Sequence, residues 1–251
     1  MNPKNLPTID ARYWTAILAA SMCGANTGDF ASRILGLGHM RGLLPLALIF
    51  LAIVWAERRS NVATEAYYWL AIIVLRTGAT NLADLGTHDL KLGYFLCMGL
   101  LAALMVVMLL IDRARGVEPA GVVGPDGRWC SLPATDASYW VTMLAAGTLG
   151  TAAGDWVAEE TGLGLGFGSA VLVAVLIAVW FVSNQYGKMT KPWYWLTIVA
   201  ARTAGTTLGD LLASRRGLGL GLVVSTICTS LLLAGILILW RTRRATSLRE
   251  A

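Results

Sequence analysis

Polar residues in this chain recur at fixed distances inside hydrophobic runs instead of separating them. Eight apolar runs stand out, at residues 13–28, 43–56, 67–83, 92–111, 139–154, 166–182, 193–209 and 219–240. As helices rising about 1.5 Å per residue, they approach the length that crosses a hydrocarbon core of about 30 Å, the second being the shortest. The even runs are plain Leu, Val and Ala sequence, as at 100–107 and 171–178. The odd runs carry Gly, Thr and Asn and end in an acid, as in Gly150-Thr151-Ala152-Ala153-Gly154-Asp155 and Gly205-Thr206-Thr207-Leu208-Gly209-Asp210. The pattern predicts an all-α integral membrane protein of eight transmembrane helices, with a polar inner ring of odd helices and an apolar outer ring of even ones against lipid.

The runs repeat. Adding 126 carries Asp29 to Asp155, Asp84 to Asp210, Tyr13-Trp14 to Tyr139-Trp140, Arg76 to Arg202 and Thr80 to Thr206. A weaker shift of 55 carries Asp29 to Asp84 and Asp155 to Asp210, so the unit is a two-helix hairpin present four times. A two-span unit returns the chain to its starting side, so all four copies share one orientation about an axis along the membrane normal. The expected organisation is a first four-helix half at 1–112, a cytoplasmic linker at 113–138 rich in Gly and Pro, and a second half at 139–251.

Composition agrees with a membrane location. The 251 residues are 56% apolar and only 14% charged, with a mean hydropathy of +0.63, where a soluble domain carries roughly a quarter charged residues. The first run belongs to the repeat and is expected to be retained, not cleaved as a signal. Basic residues set the orientation, because cytoplasmic loops hold excess Lys and Arg. Lys4, Arg12, Arg58, Arg59, Arg113, Arg115, Arg128, Lys188, Lys191, Arg241, Arg243, Arg244 and Arg249 share the side of the termini, against Arg33, Arg41, Lys91, Arg215 and Arg216 opposite. Both termini are therefore expected in the cytoplasm, and the net charge of +5 reflects topology, not nucleic-acid binding. Cys23, Cys97, Cys130 and Cys228 show no CxxC spacing and receive no disulfide, zinc or redox role.

Charged residues inside membrane spans are costly and mark function by default. Arg76 and Arg202 lie about eight residues, roughly 12 Å, inside aromatic belts at 67–69 and 193–195, and each repeat's Asp lies about as far again toward the outer surface. The expected picture is a vestibule with Asp29, Asp84, Asp155 and Asp210 at its outer mouth and two arginines deeper. The acids admit two readings: they line a path for a cation, proton or polar solute, or they cap short interfacial helices at 30–35 and 156–161. The arginines either form buried ion pairs between odd helices or act as an electrostatic filter, each set against an Asp, a Thr hydroxyl or a backbone carbonyl of a neighbouring repeat. Asn26, Thr80, Asn81, Thr151, Thr206 and Thr207 share the acids' helix face and either supply oxygen ligands, which suit Mg²⁺, Ca²⁺ or Mn²⁺, or hydrogen-bond helices together. Gly24 with Gly28, Gly150 with Gly154 and Gly205 with Gly209 are GxxxG pairs that allow close helix packing. The Gly-Leu-Gly runs at 36–38, 162–166 and 217–221 read as tight outer turns, and His39 and His88, which lack counterparts at the 126-residue shift, as loop residues.

Four hairpins, each with an aromatic start such as Tyr13-Trp14 or Tyr194-Trp195 and an ending like Gly-Asp, resemble a bacterial membrane-anchored family defined by a repeat of unknown function. The most specific element is Thr-x-x-Gly-Asp at 151–155 and 206–210, from which the first copy departs with Ala25 and the second with Asn81-Leu82-Ala83-Asp84. The resemblance implies this architecture and a bacterial inner membrane, and no settled activity. The leading expectation is a small transporter or channel for a cation or polar solute, with the bilayer and that solute as partners, no cofactor and no nucleic acid. The alternative is a structural or sensory membrane protein, with a homodimer as an option, whose polar residues serve helix packing and oligomerisation. With no repeated His, Ser-His pairing or HExxH motif, an enzyme is not expected.

Overall fold

In the computed structural model, which describes residues 7, 9–60, 65–115, 120–123, 129–132, 135–185 and 190–247, the chain forms eight α-helices. These are α1 (Ala11–Asp29), α2 (Gly38–Arg59), α3 (Ala66–Asp84), α4 (Gly93–Ala114), α5 (Ala137–Glu159), α6 (Gly164–Gln185), α7 (Lys191–Ala213) and α8 (Leu222–Ser247). The linker departs from a plain tether: β1 (Ala120–Val123) and β2 (Trp129–Leu132) pair antiparallel, Ala120 opposite Leu132. Residues 116–119, 124–128 and 133–134 of that linker, the loop around Lys188, and Lys4 lie outside the described residues, as does the side chain of Cys130.

The helices sort into two layers. Around the axis α1 packs on α3, α3 on α5, α5 on α7, and α7 back on α1, closing a four-helix ring of parallel inner helices. Each outer helix lies chiefly on the inner helix of the following hairpin: α2 on α3, α4 on α5, α6 on α7, and α8 on α1. This offset interlocks the hairpins, since every outer helix covers a seam that its own repeat does not make.

Small residues set the inner spacing. A Cβ at Gly150 would lie 2.5 Å from Cβ of Arg202, one at Gly24 would enter the Arg76 side chain, and one at Gly205 would enter Ser21. At the remaining seam Ala79 stands where the others have Gly, and its partner Gly147 makes the room. Four residues on, Gly28 rests on Thr80, Gly154 on Thr203 and Thr206, and Gly209 on Asn26. All six GxxxG glycines therefore face the next inner helix, the close approach that small residues permit. The hairpin turns also use glycine where φ turns positive, at Gly36, Gly38, Gly162, Gly164, Gly219 and Gly221. In the second hairpin Lys91, at φ 55°, holds the place of Gly36.

Four helices are long and apolar enough to cross a membrane by composition: α2, α4, α6 through Ser183, and α8 through Leu239. They turn large apolar side chains outward, with Phe95 73% exposed and Leu44, Leu100, Phe167, Ile177 and Leu231 also on the surface. That much contiguous apolar area does not suit contact with water. The inner helices reach 19 to 23 residues, but their Thr, Asn, Arg and Asp lower their hydropathy.

Two expectations are corrected here. Asp29 and Asp84 do not cap new helices: both keep right-handed helical backbone, make no capping hydrogen bond, and pass directly into five-residue π-helical turns, Phe30–Ile34 and Leu85–Asp89. Asp155 and Asp210 sit within α5 and α7, which run on to Glu159 and Ala213, so no separate helix starts there either. Secondly, the histidines are not loop residues: His39 is in the first turn of α2 and His88 in the second π-helical turn.

Crowding one of these seams should be costly. Gly205→Leu is expected to destabilise the protein by at least about 1–3 kcal/mol, the usual cost of overpacking. Gly99→Leu, in α4 where a Cβ meets nothing within 4 Å, should leave the thermal unfolding midpoint in detergent unchanged.

Candidate functional site

Because the inner helices pack along their small-residue ridge, the residue facing the axis recurs every fourth position, and each step climbs about 6 Å. The layers start with Tyr13, Tyr68, Tyr139 and Tyr194, and continue with Ile17, Ile72, Met143 and Ile198. Then come Ser21, Arg76, Gly147 and Arg202, followed by Ala25, Thr80, Thr151 and Thr206. The four aspartates form the next layer, and Arg33, His88, Glu159 and Ser214 the last.

The upper three layers line a cavity of about 450 Å³. Its wall holds the carboxylates of Asp29, Asp84, Asp155, Glu159 and Asp210, against Arg33 and Arg216. All four inner helices point their C-terminal ends toward it, which adds the negative end of each helix dipole. The four aspartates thus meet as the repeat implies. Arg33 lies 3.6 Å from Asp29, and His39 Nε2 lies 3.5 Å from Asp84 while its Nδ1 meets Asp89 at 2.9 Å. Among the described residues Asp155 and Asp210 have no ion pair or side-chain hydrogen bond.

Beneath the acids, Arg76 closes the floor. It is 1% exposed, and its guanidinium donates from Nη1 to Thr80 (3.0 Å) and Thr151 (2.6 Å) and from Nη2 to Thr206 (2.5 Å). Each of those hydroxyls in turn donates to the carbonyl four residues back, on Arg76, Gly147 and Arg202. The threonine protons are committed to the backbone, so the layer offers only lone pairs to the axis. Ala25 leaves the fourth quadrant without a hydroxyl.

Arg202, also 1% exposed, points the other way, with Nη1 3.5 Å from Ser21 Oγ and Nη2 3.4 Å from Met143 Sδ. Neither arginine forms an ion pair among the described residues, which corrects the buried-ion-pair reading. Arg76 instead takes the hydroxyl option and stands in the field of Asp155, Asp210 and Asp29 above it. That attraction offsets part of the desolvation cost of a buried cation.

The far end is sealed. The hydroxyls of Tyr13, Tyr68, Tyr139 and Tyr194 form a closed hydrogen-bonded ring, at 2.7 Å (13 to 68), 2.9 Å (68 to 139), 2.8 Å (139 to 194) and 2.7 Å (194 to 13). Around a closed ring each hydroxyl donates once and accepts once. Trp14, Trp69, Trp140 and Trp195 stand edge-on against these rings and are buried with them, so these four Tyr-Trp pairs face inward, while Tyr67 and Trp193 beside them stay half-buried. The shifts of 55 and 126 already linked these tyrosines in sequence.

The remaining sequence candidates divide. Thr80, Thr151 and Thr206 line the cavity; Asn26, Asn81 and Thr207 do not. Asn81 abuts Gly42 of α2, Asn26 lies against Gly209 of α7, and Thr207 donates to the carbonyl of Ala204. They sit one position past the axial Ala25, Thr80 and Thr206, which turns them into the helix seams. Glu159, Arg33 and His88 belong to the site and carried no signal beyond their repeat register. The described cysteines, Cys23, Cys97 and Cys228, are free thiols.

The chain matches the family model described as Repeat of Unknown Function (DUF347) at residues 12–62, 138–186 and 193–246. Those segments are the first, third and fourth hairpins. Neither a curated protein nor a solved structure matches it.

If the threonine layer holds Arg76, Thr206→Val should destabilise by about 1.5–3 kcal/mol, the range for hydrogen bonds to charged groups. Thr197→Val, which removes only a donation to the carbonyl of Trp193, should cost about 1 kcal/mol or less in the same thermal unfolding assay.

Proposed function

We propose that this chain, which belongs to the family described as Repeat of Unknown Function (DUF347), is a small multi-pass carrier of a cationic solute. All eight helices cross the bilayer, the four apolar ones shielding the four polar ones. By the placement of Lys and Arg, both termini lie in the cytoplasm of a bacterial inner membrane and the acidic vestibule opens outward. The observation that carries the reading is the convergence of four repeat-related aspartates on one cavity at the C-terminal ends of four parallel helices. Carboxylates inside an apolar protein are kept at a cost, and here they meet in one place.

A carrier fits better than an open channel. A cation leaving the vestibule along the axis would meet two buried arginines, an apolar layer at Ile17, Ile72, Met143 and Ile198, and the tyrosine ring. Passage therefore requires the inner helices to rearrange, as in alternating access. The site is complete within one chain and needs no second copy. The lining, carboxylates above a layer of threonine hydroxyls, is suited to binding a cation.

The sealed axis also favours one second reading, a receptor that binds the cation without moving it. Both readings share the binding step and differ in flux. In proteoliposomes the wild type should accumulate or release a bound cation, and the Asp155→Asn, Asp210→Asn double variant should lose at least about tenfold of that flux while its unfolding midpoint stays close to wild type. Binding without flux would favour the receptor. A double variant that simply unfolds would return the aspartates to a packing role.

A further inference from the structure

We infer that the vestibule is built for an organic cation carrying more than one positive nitrogen, a diamine or guanidino-amine, and not for a bare metal ion; this rests on the cation-binding reading above. The cavity, about 450 Å³, lies in the range of small-molecule sites, whereas a dehydrated ion would leave most of it unfilled. Among the described residues no group of three or more His, Cys, Asp or Glu is placed to hold a metal ion. The carboxylates come from all four inner helices and stand around the wall of one cavity, without closing on a single ion-sized point among the described residues.

The hydrogen-bonding character of the wall points the same way. Asp155 and Asp210 line the cavity and, among the described residues, form no ion pair and accept no side-chain hydrogen bond. A carboxylate turned into a cavity without a partner has all its lone pairs free for whatever occupies the cavity. The threonine layer below adds acceptors only, because its protons are bound to backbone carbonyls. The protein already shows what that layer accepts: the guanidinium of Arg76, held by three hydroxyls at once. A ligand that fits must bring several N–H donors.

Charge sets the number of cationic heads. Five carboxylates face Arg33 and Arg216 on the wall and Arg76 on the floor, a formal excess of two negative charges, so a single positive charge leaves part of the excess uncompensated. The aspartate layer and Glu159 lie one step apart, about 6 Å along the axis, which separates two places for a charged nitrogen. One head sits among the aspartates, and the second sits toward the mouth at Glu159.

Isothermal titration of the full-length protein in detergent tests this with 1,4-diaminobutane, 1-aminobutane, guanidinium, Mg²⁺, Mn²⁺ and Na⁺ as probes. The diamine should bind at least tenfold more tightly than the monoamine, and Glu159→Gln should weaken diamine binding by a larger factor than it weakens monoamine binding. Glu159 is exposed on the rim, where the Tyr94 hydroxyl donates to its Oε2 at 2.6 Å, so this variant does not depend on a buried site surviving substitution. Binding of Mg²⁺ or Mn²⁺ with a silent diamine would overturn the inference and keep the cation reading. Equal affinity for monoamine and diamine would overturn the two-headed assignment. Silence from every probe, with the protein folded by circular dichroism, would overturn the cation reading itself.

Discussion

Everything on the axis of this protein depends on how closely the four inner helices approach one another. Gly24, Gly150 and Gly205 put backbone where a Cβ would collide with Arg76, Arg202 and Ser21, and the Ala79–Gly147 contact closes the fourth seam. Helices that meet along a four-residue ridge present every fourth side chain to the centre. That geometry turns four short sequence repeats into stacked layers of tyrosine, aliphatic, arginine, threonine and aspartate. Larger side chains at the seam would spread the ring, and the arginine would lose contact with threonines contributed by three different helices.

The layers are ordered by what each can offer its neighbours. A buried guanidinium needs acceptors, and the threonines supply them because their own protons are occupied by the helix backbone. It also needs negative potential, which the aspartates and the helix C-termini provide one layer higher. Arg202 points away from that field toward Met143, below which the tyrosine ring satisfies its own hydroxyls. The outcome is a polar column open at one end and closed at the other, wrapped in helices whose outer faces are apolar.

Much of this was legible in the sequence. The shifts of 126 and 55 placed Asp29, Asp84, Asp155 and Asp210 together, and the contrast between Leu-rich and Gly-Thr-rich runs separated outer from inner helices. The partners of the arginines were not legible, because a long side chain can point either way along the axis and spacing does not say which. Neither was the division between Thr206 and Thr207: one position decides whether a side chain meets the axis or the seam, and that depends on the packing ridge. The acid endings admit a helix-cap reading, but the chain continues through them: π-helical turns extend α1 and α3, and Asp155 and Asp210 lie within α5 and α7. Tyr-Trp pairs at span starts resemble interfacial anchors, and only the assembled ring shows that the tyrosines turn inward.

The most direct test of the account asks from which side of the membrane the vestibule can be reached. Ala158, which lines its wall, is replaced by Cys in a variant whose Cys23, Cys97, Cys130 and Cys228 are Ser, and a membrane-impermeant thiol reagent is applied to intact cells and to inverted vesicles. The account predicts rapid labelling in cells and little in inverted vesicles. Labelling only in inverted vesicles would reverse the orientation, and labelling in neither would contradict an open vestibule.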